Sequence, residues 1–372
     1  MKKIGITGQK GFIGSHLYNR ISLLKEEFTP VPFEKSFFED EQALNNWVQQ
    51  CDVIVHLAAM NRHPDQQVIH DVNVSLTQRL VNAMHATQHY PHVLFSSSTQ
   101  EERDNLYGQS KMTSRKSLAA LAAAQNVAVT GMIIPNVFGP FGKPFYNSVV
   151  ATFCHQLTHG ESPKIDNDGY LKLIYVDELV LTIIDAIRNE LNEPALQIPH
   201  THECYVSEIL KRLEVYKELY LDKGIFPALP DAFSVQLFNT YRSYMDHATR
   251  YPFLLTPHPD NRGVFVELIK LEMGGQVSFS TTVPGITRGN HFHTRKVERF
   301  VVIKGKALIQ LRKYNTDEVL DFQLDGAQPS YVDMPVWYTH NIKNIGEEEL
   351  YTVFWINEFF DPADPDTYFE TV

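Results

Sequence analysis

Cysteine is scarce. Cys51, Cys154 and Cys204 are the whole complement, odd in number, far apart and without a Cys-x-x-Cys pair. That argues against a disulfide framework and a cysteine metal site, and it points to a reducing compartment. Clusters of Lys and Arg are missing as well, and the formal net charge is −11. Binding to nucleic acid needs such clusters to neutralise phosphates, so no nucleic-acid partner is expected. Nor is there an uninterrupted apolar run of the roughly 18 residues that would suggest a membrane span. Ser117 to Ile134 comes nearest, and Gln125, Asn126, Thr130 and Gly131 interrupt it, so it reads as a helix end followed by a buried strand. The opening MKKIGITGQKGFIG enters a strand at once and leaves no room for a signal-peptide apolar region. A cytoplasmic protein without a membrane partner is the expectation. Internal repeats and low-complexity segments are absent too. What remains is a soluble globular composition, 43% hydrophobic and 21% charged, on 372 residues. That is more chain than one ordinary core holds, so two domains are expected.

The texture of the chain changes part-way. Ile4 to Thr7, Asp52 to Ala58, Val93 to Ser97 and Ala128 to Pro135 read as short apolar strands, alternating with helical patterns from Phe12, near Val72 to His85 and near Gly108 to Ala124. Such alternation predicts a Rossmann-like, doubly wound parallel sheet. Two more helical patterns, Val206 to Leu221 and Asp231 to Met245, are read as covering the substrate side of that first domain. A polar, Pro-rich linker over about 246–262 follows, and beyond it Gly263 to Leu271, Gln276 to Val283, Arg299 to Tyr314 and Leu350 to Asn357 are β-rich and bounded by Gly or Pro. These suit a jelly-roll β-barrel. The expected domains are therefore 1–247, α/β, and 248–372, all-β.

Two constellations carry chemistry in the first domain. Thr7-Gly8-Gln9-Lys10-Gly11-Phe12-Ile13-Gly14 follows a strand and opens a helix, the context in which glycines let the backbone approach a pyrophosphate. Ser98 ends a strand, and Tyr107-Gly-Gln-Ser-Lys111 puts a phenol and an ammonium one turn apart on a helix. A ketone becoming an alkoxide needs a proton donor, and a nearby cation lowers a phenol's pKa towards that task. These residues resemble the extended, nucleotide-sugar-processing branch of the short-chain dehydrogenase/reductase family. The resemblance implies that Ser98 hydrogen-bonds the carbonyl, Tyr107 is the acid, and Lys111 holds the cofactor ribose. It also implies that Leu57, Ala58 and Ala59 line the cofactor, with Pro135 and Asn136 in the loop after the catalytic helix. His56, beside apolar strand residues, reads as a packing residue. Cofactor choice rests on the end of the second strand. Glu34 there would suit a ribose 2′-hydroxyl, whereas Lys35 and Lys10 would favour a 2′-phosphate; the reading leans to NADPH. Arg62 could serve a phosphate, the substrate or simply solvent.

The second domain carries His291-Phe-His293 and, five residues on, Glu298. Alternate strand residues share a face, so both imidazoles point the same way and the carboxylate can join them from a paired strand. His340 offers a further nitrogen, giving three His and one Glu around a divalent metal, with zinc the leading choice. This set resembles the cupin family: Gly285, His291, His293, Glu298 and Gly305 match its first motif without a gap. Pro335, His340 and Asn344 match its second, but Trp337 stands where the family usually has Gly, which leaves the local loop geometry open.

An extended reductase joined to a C-terminal cupin resembles, over nearly the full length, a family of bifunctional capsular-polysaccharide enzymes. Further segments carry the likeness: Asn61-Arg62, Lys143 to Phe153 with Asn147 and Ser148, and Phe359 to Phe369. The resemblance implies a UDP-amino-sugar substrate, met by Asn61, Arg62, Asn136, Asn147 and Ser148. It implies epimerisation of carbon 3 by the cupin, then reduction of carbon 4 with NADPH to UDP-2-acetamido-2,6-dideoxy-β-L-talose. The metal either polarises the keto oxygen or is structural, with His293 or Tyr338 moving protons. A homodimer is expected, since cupin barrels often pair through strands. Two other readings stand beside it: a single-reaction reductase with a structural cupin, and a redox-sensing regulator, against which the Ser98, Tyr107, Lys111 set argues.

Overall fold

The computed structural model describes residues 1–372. Two compact units divide the chain: Met1–Thr152 with Asp168–Val206, and Phe153–Asn167 with Ser207–Val372. No helix is long and apolar enough to cross a membrane.

In the first unit strands and helices alternate: β1 (Lys2–Thr7), α1 (Phe12–Leu23), β2 (Phe28–Val31), α2 (Glu41–Val48), β3 (Val53–His56), α3 (Gln66–Thr87), β4 (His92–Ser98), α4 (Leu106–Gln125) and β5 (Val129–Ile134). There follow β6 (Asn136–Phe138), α5 (Val149–Thr158, which passes into the second unit from Phe153), β7 (Tyr170–Tyr175), α6 (Val176–Arg188), β8 (Leu196–Gln197) and β9 (His202–Tyr205). The main sheet runs β2-β1-β3-β4-β5-β8, every neighbouring pair parallel. Parallel crossovers lay helices on both faces, so central strands are buried on both sides and read as unbroken apolar runs. All four residues of β3 and all six of β5 are buried. On one face Leu17 and Ile21 of α1 and Ile183, Ile184 and Ile187 of α6 pack on Ile4, Ile6, Val53 and Val55. On the other, Trp47 of α2, Leu80 and Met84 of α3 and Leu118 of α4 cover Ile54, Val93 and Phe95. Because the strands are parallel, the loops after β1, β3, β4 and β5 gather along one edge, where such sheets bind ligands.

The second unit holds α7 (Val206–Tyr216, from its second residue), β10 (Ile225–Phe226), α8 (Ala232–Arg242), α9 (His247–Arg250) and the remaining strands. These are β11 (Phe253–Leu254), β12 (Pro257–Asp260), β13 (Gly263–Val266), β14 (Lys270–Leu271), β15 (Gln276–Thr282), β16 (Thr287–Phe292) and β17 (Glu298–Lys304). Then come β18 (Lys306–Lys313), β19 (Val319–Asp325), β20 (Ser330–Met334), β21 (Tyr338–Asn344), β22 (Leu350–Ile356) and β23 (Tyr368–Phe369). Two five-stranded antiparallel sheets, β11-β20-β17-β22-β15 and β19-β18-β21-β16-β23, form the jelly roll. Phe300, Ile309, Leu311, Phe322, Met334 and Ile342 share its core.

The helical stretch after Val206 belongs by packing to this second unit, not to the first as the 1–247 reading had it. The reason is a buried charge pair. Arg299 of β17 grips Asp333 of β20 through two hydrogen bonds of 2.6 and 2.9 Å, and both side chains are essentially inaccessible. Such a pair is tolerable only when its remaining polar atoms are satisfied. The Tyr220 hydroxyl, between α7 and β10, donates to Asp333 at 2.6 Å, and Arg242 of α8 donates to the Met334 carbonyl at 3.0 Å.

Candidate active sites

Thr7 ends β1, and Gly8 turns the chain at φ +75, a conformation that side chains rarely adopt. A Cβ on Gly14 would stand 2.1 Å from the Gly8 carbonyl oxygen, so helix and loop approach this closely only without one. Gly11, ahead of α1, offers no side-chain cap, which leaves the first-turn N–H groups, with Phe12 and Ile13 among them, to meet an anion. Gln9 accepts from Phe33 N at 3.2 Å and ties this loop to the end of β2. There the structure brings two of the expected selectors together: Lys10 Nζ lies 3.3 Å from a Glu34 carboxylate oxygen. Lys35 is exposed next to them. After β3, the Ala58 N–H donates to Thr7 Oγ1 at 3.2 Å, setting Leu57, Ala58 and Ala59 beside the glycine loop; Pro135 is buried after β5. His56 is a buried packing residue, its ring held between Thr7 Oγ1 (2.7 Å) and Thr77 Oγ1 (3.3 Å).

Asn105 caps α4 by accepting from Gly108 N at 2.7 Å, and Tyr107 and Lys111 follow one turn apart. Lys111 is 3% exposed, donates to the Ser96 carbonyl of β4 at 2.8 Å and lies 5.9 Å from the centre of the Tyr107 ring. One expectation needs correction. The phenol is not acidified by its neighbour here: burial, with Tyr146 adding to it, pushes Tyr107 up to about 12. Burial also lowers Lys111 to about 8. Desolvation disfavours the charged form of each. Ser98, at the end of β4, accepts from Gln100 N at 3.2 Å.

Arg62 donates to the carbonyls of Phe145 (2.8 Å) and Tyr146 (3.4 Å), so it fastens the loop leading to Asn147 and Ser148. Ser148 accepts from Ala151 N at 3.2 Å at the head of α5. Asn136 donates to the Lys172 carbonyl at 3.3 Å; Asn147 is exposed and Asn61 half-buried. Sequence reasoning missed Tyr146. Its only signal was an aromatic ring within the Lys143 to Phe153 segment.

In the second unit the four expected ligands converge. One donor atom from each of His291, His293, Glu298 and His340 lies within 4.8 Å of the others. His293 Nε2 and His340 Nε2 stand 3.1 and 3.4 Å from the same Glu298 oxygen. None of these three buried atoms makes a well-formed hydrogen bond. Buried polar atoms left without partners are costly, and three aimed at one another fit an ion between them. Behind them, His293 Nδ1 donates to the Asp366 carbonyl (2.5 Å) and His340 Nδ1 to the Tyr338 carbonyl (3.0 Å). Each bond leaves Nε2 as the lone-pair atom, the usual arrangement behind a metal-bound imidazole. Tyr338 itself packs its ring on His247, 5.4 Å between centres, and burial raises its pKa. The loop left open by Trp337 keeps the glycine-like turn: Trp337 adopts φ +62, is 2% exposed, and donates to the His293 carbonyl at 2.8 Å.

Residues 4–198 match the NAD dependent epimerase/dehydratase family, and residues 258–368 match the polysaccharide biosynthesis C-terminal domain. A Pseudomonas aeruginosa protein, UDP-2-acetamido-2,6-beta-L-arabino-hexul-4-ose reductase, is 32% identical over 98% of each chain. The chain belongs to the NAD dependent epimerase/dehydratase family. Within that family it shares a two-part organisation with the capsular polysaccharide assembling protein CapF from Staphylococcus aureus. The solved structure of CapF covers all of both chains at 35% identity and a TM-score of 0.61. The C-terminal part alone is similar to the spore coat polysaccharide biosynthesis protein SpsL of Bacillus subtilis, 26% identical over 30% of this chain and 81% of that one. The fusion of extended reductase and cupin read in the sequence is thus borne out.

Proposed function

We propose that this family member is a bifunctional nucleotide-sugar enzyme of polysaccharide synthesis. Its cupin epimerises carbon 3 of a UDP-4-keto-6-deoxy-HexNAc, and its reductase reduces the carbon 4 ketone with NADPH, giving UDP-2-acetamido-2,6-dideoxy-β-L-talose. The observation that carries the reading is the presence, on one chain, of two separately built sites. One has an acid and an ammonium, Tyr107 and Lys111, behind a glycine loop; the other has a buried His291, His293, Glu298, His340 cage.

The order follows from the chemistry. A ketone at carbon 4 acidifies the hydrogen on carbon 3, so a base can remove that proton and an acid can return one to the opposite face. Reduction ends this acidity, so epimerisation comes first. His291, His293, Glu298 and His340 would hold a divalent ion, zinc on its ligand set, which would supply an electrophile for the keto oxygen. Tyr338 then handles the carbon 3 proton, a part His293 takes only in the reading that leaves its Nε2 off the ion. In the other site the glycine loop would hold NADPH, which would supply hydride for carbon 4, while Tyr107 gives its proton to the oxygen and Ser98 orients the carbonyl. Lys10 and Lys35 support NADPH; Arg62, Asn61, Asn136, Asn147 and Ser148 remain the proposed sugar-nucleotide contacts. A cytoplasmic homodimer belongs to the same reading. Phe279, 72% exposed on the edge strand β15, supports the dimer, and light scattering checks it.

One observation favours a narrower reading. Four protein ligands fill a tetrahedral shell, as in structural zinc sites, which would make the chain a single-reaction reductase. Incubating the full chain with UDP-4-keto-6-deoxy-HexNAc in D2O separates the two. Deuterium at carbon 3 without NADPH, and a reduced product with it, supports the bifunctional enzyme. Reduction without exchange leaves the narrower one, and no NADPH oxidation removes both.

A further inference from the structure

The segment after β22 returns to the ligand strand and holds it at both ends. At one end β23 pairs with β16, His291 opposite Phe369, and Glu370 N donates to the Asn290 carbonyl at 2.9 Å. At the other end stands Asp366, 4% exposed and at φ +40. Its carboxylate accepts from three consecutive backbone N–H groups, Thr294 (3.1 Å), Arg295 (3.0 Å) and Lys296 (3.1 Å), and from the Thr294 hydroxyl (2.7 Å). Its carbonyl accepts from His293 Nδ1 at 2.5 Å.

We infer that Asp366 is a positioning residue for the metal centre: its carboxylate locks the turn just after His293 while its carbonyl fixes that ring's tautomer and direction. The inference rests on the reading of the four-residue cage as a metal site. A carbonyl can only accept, so the proton of the neutral ring sits on Nδ1 and the lone pair on Nε2. That nitrogen is the one 3.1 Å from Glu298. The two contacts come from one residue, so they fix the ring relative to the 294–296 backbone rather than merely touching it. Rotation about the His293 side chain would break the short bond, and shifting Asp366 to follow it would strip three N–H groups of their acceptor. The left-handed backbone at Asp366 is what turns its carbonyl and carboxylate to the same side. Asp and Asn tolerate that conformation better than other side chains do.

The surroundings separate this role from simple anchoring. Arg295 pairs with Glu358 (3.2 Å) and Asp364 (2.8 Å), and Lys296 Nζ donates to the Pro365 carbonyl at 2.7 Å. These bonds fasten the same segment from outside without touching a ligand. Removing them tests anchoring, and removing the Asp366 carboxylate tests positioning.

The probes are zinc and cobalt on the full chain, read by chelator competition, by the cobalt d–d spectrum and by melting of the metal-free protein. Asp366→Ala keeps the main-chain carbonyl but frees the turn that aims it, and is expected to weaken zinc about 10- to 100-fold and to shift the cobalt bands, the scale of a disturbed outer partner. Asp366→Asn, which keeps an acceptor oxygen and tolerates the same backbone, should recover part of the loss. Arg295→Ala should stay within about three-fold of wild type, well short of the loss expected when the outer partner itself is disturbed. Wild-type zinc affinity and an unchanged cobalt spectrum in Asp366→Ala overturn the inference, and so does an equal loss in Arg295→Ala. If Asp366→Ala fails to fold, nitrogen-15 NMR of the zinc-loaded wild type decides: a His293 proton on Nδ1 upholds the role, and a metal-bound Nδ1 overturns it. A wild type that takes up neither ion strikes the metal reading itself, whereas one that binds both and matches its variant strikes only Asp366.

Discussion

His291 stands directly opposite His340 because Asn290 is pushed out of the ladder between β16 and β21. The pairs run Arg288 with Ile342 and Gly289 with Asn341, then jump to His291 with His340. Asn290 takes up the extra residue at φ +60. A slip of one residue in a strand reverses every side chain beyond it, so without this bulge His291 and His293 would face away from the cage.

Asn290→Val puts a β-branched side chain where φ must be positive, at a cost of about 1–2 kcal/mol or loss of the bulge. The expected result is at least about ten-fold weaker metal binding, the scale of a disturbed ligand shell. Asn290→Gly should bind nearly as wild type. Elemental analysis after dialysis against a chelator checks both, and equal occupancy in Asn290→Val would show that the bulge does not aim the ligands.

Tyr107→Phe removes the phenol proposed to protonate the oxygen at carbon 4. Reduction should fall by roughly two to four orders of magnitude, the range for losing a general acid. Exchange at carbon 3 should continue, because the proposal assigns it to the other site. NMR of the recovered sugar nucleotide in D2O reports both, and lost exchange in a folded variant would place epimerisation elsewhere.

The Lys10–Glu34 pair is open to solvent, with side chains 79% and 56% exposed, and such pairs contribute at most about 1 kcal/mol. A 2′-phosphate can therefore displace Glu34 from Lys10 at little cost. Glu34→Gln removes the competing charge and should strengthen NADPH binding up to about five-fold, in keeping with that small energy, while weakening NADH. Calorimetric titration with both cofactors measures it; a gain for NADH would assign Glu34 no part in the choice.

Trp337→Gly should destabilise the protein even though glycine suits φ +62. Relief of the backbone is worth about 1–2 kcal/mol. Loss of a buried indole stacked on Phe292 at 5.6 Å costs about 3–5 kcal/mol. Denaturant unfolding should therefore show a net loss of about 1–4 kcal/mol, the difference of those two effects. A stabilised variant would mean that the turn, not the ring, limits this loop.

His56 makes acid sensitivity predictable in sign. Burial, then Lys111, lowers its pKa from 6.5 to about 3. Between those values the unfolded chain binds a proton that the folded one refuses, so stability falls as pH drops across that window. Urea unfolding of His56→Gln should show a shallower loss from pH 6.5 down to 3 than the wild type. Parallel curves would leave the acid sensitivity to carboxylates.

The local sets were legible in the sequence. Gly8 to Gly14, Tyr107 with Lys111, and His291 with His293 and Glu298 each fall within a few residues of chain, where spacing constrains geometry, although Glu298 joins the histidines from β17 in the other sheet and not from a strand paired with β16. Asp366 was not legible, for it acts on His293 through a backbone carbonyl from 73 residues away, and no side-chain pattern announces that. The raised pKa of Tyr107 was missed because burial is a property of the fold, not of the helix turn that places Lys111 nearby. Amphipathic spacing from Val206 to Met245 showed that these helices bury a face. It could not say that the face would close over Arg299 and Asp333, whose charges are paired only once strands β17 and β20 are side by side.

The chain passes between its two compact units three times, after Thr152, Asn167 and Val206. A single cut therefore cannot separate them: a fragment ending at Val206 still carries residues 153–167, which belong to the other core, and the remainder lacks them. Recombination that swaps the cupin end of the gene would have to bring its own version of that short helix and loop, or leave a hole in the barrel's unit. On the proposed reading point substitutions separate the two chemistries, whereas no single cut of the chain does.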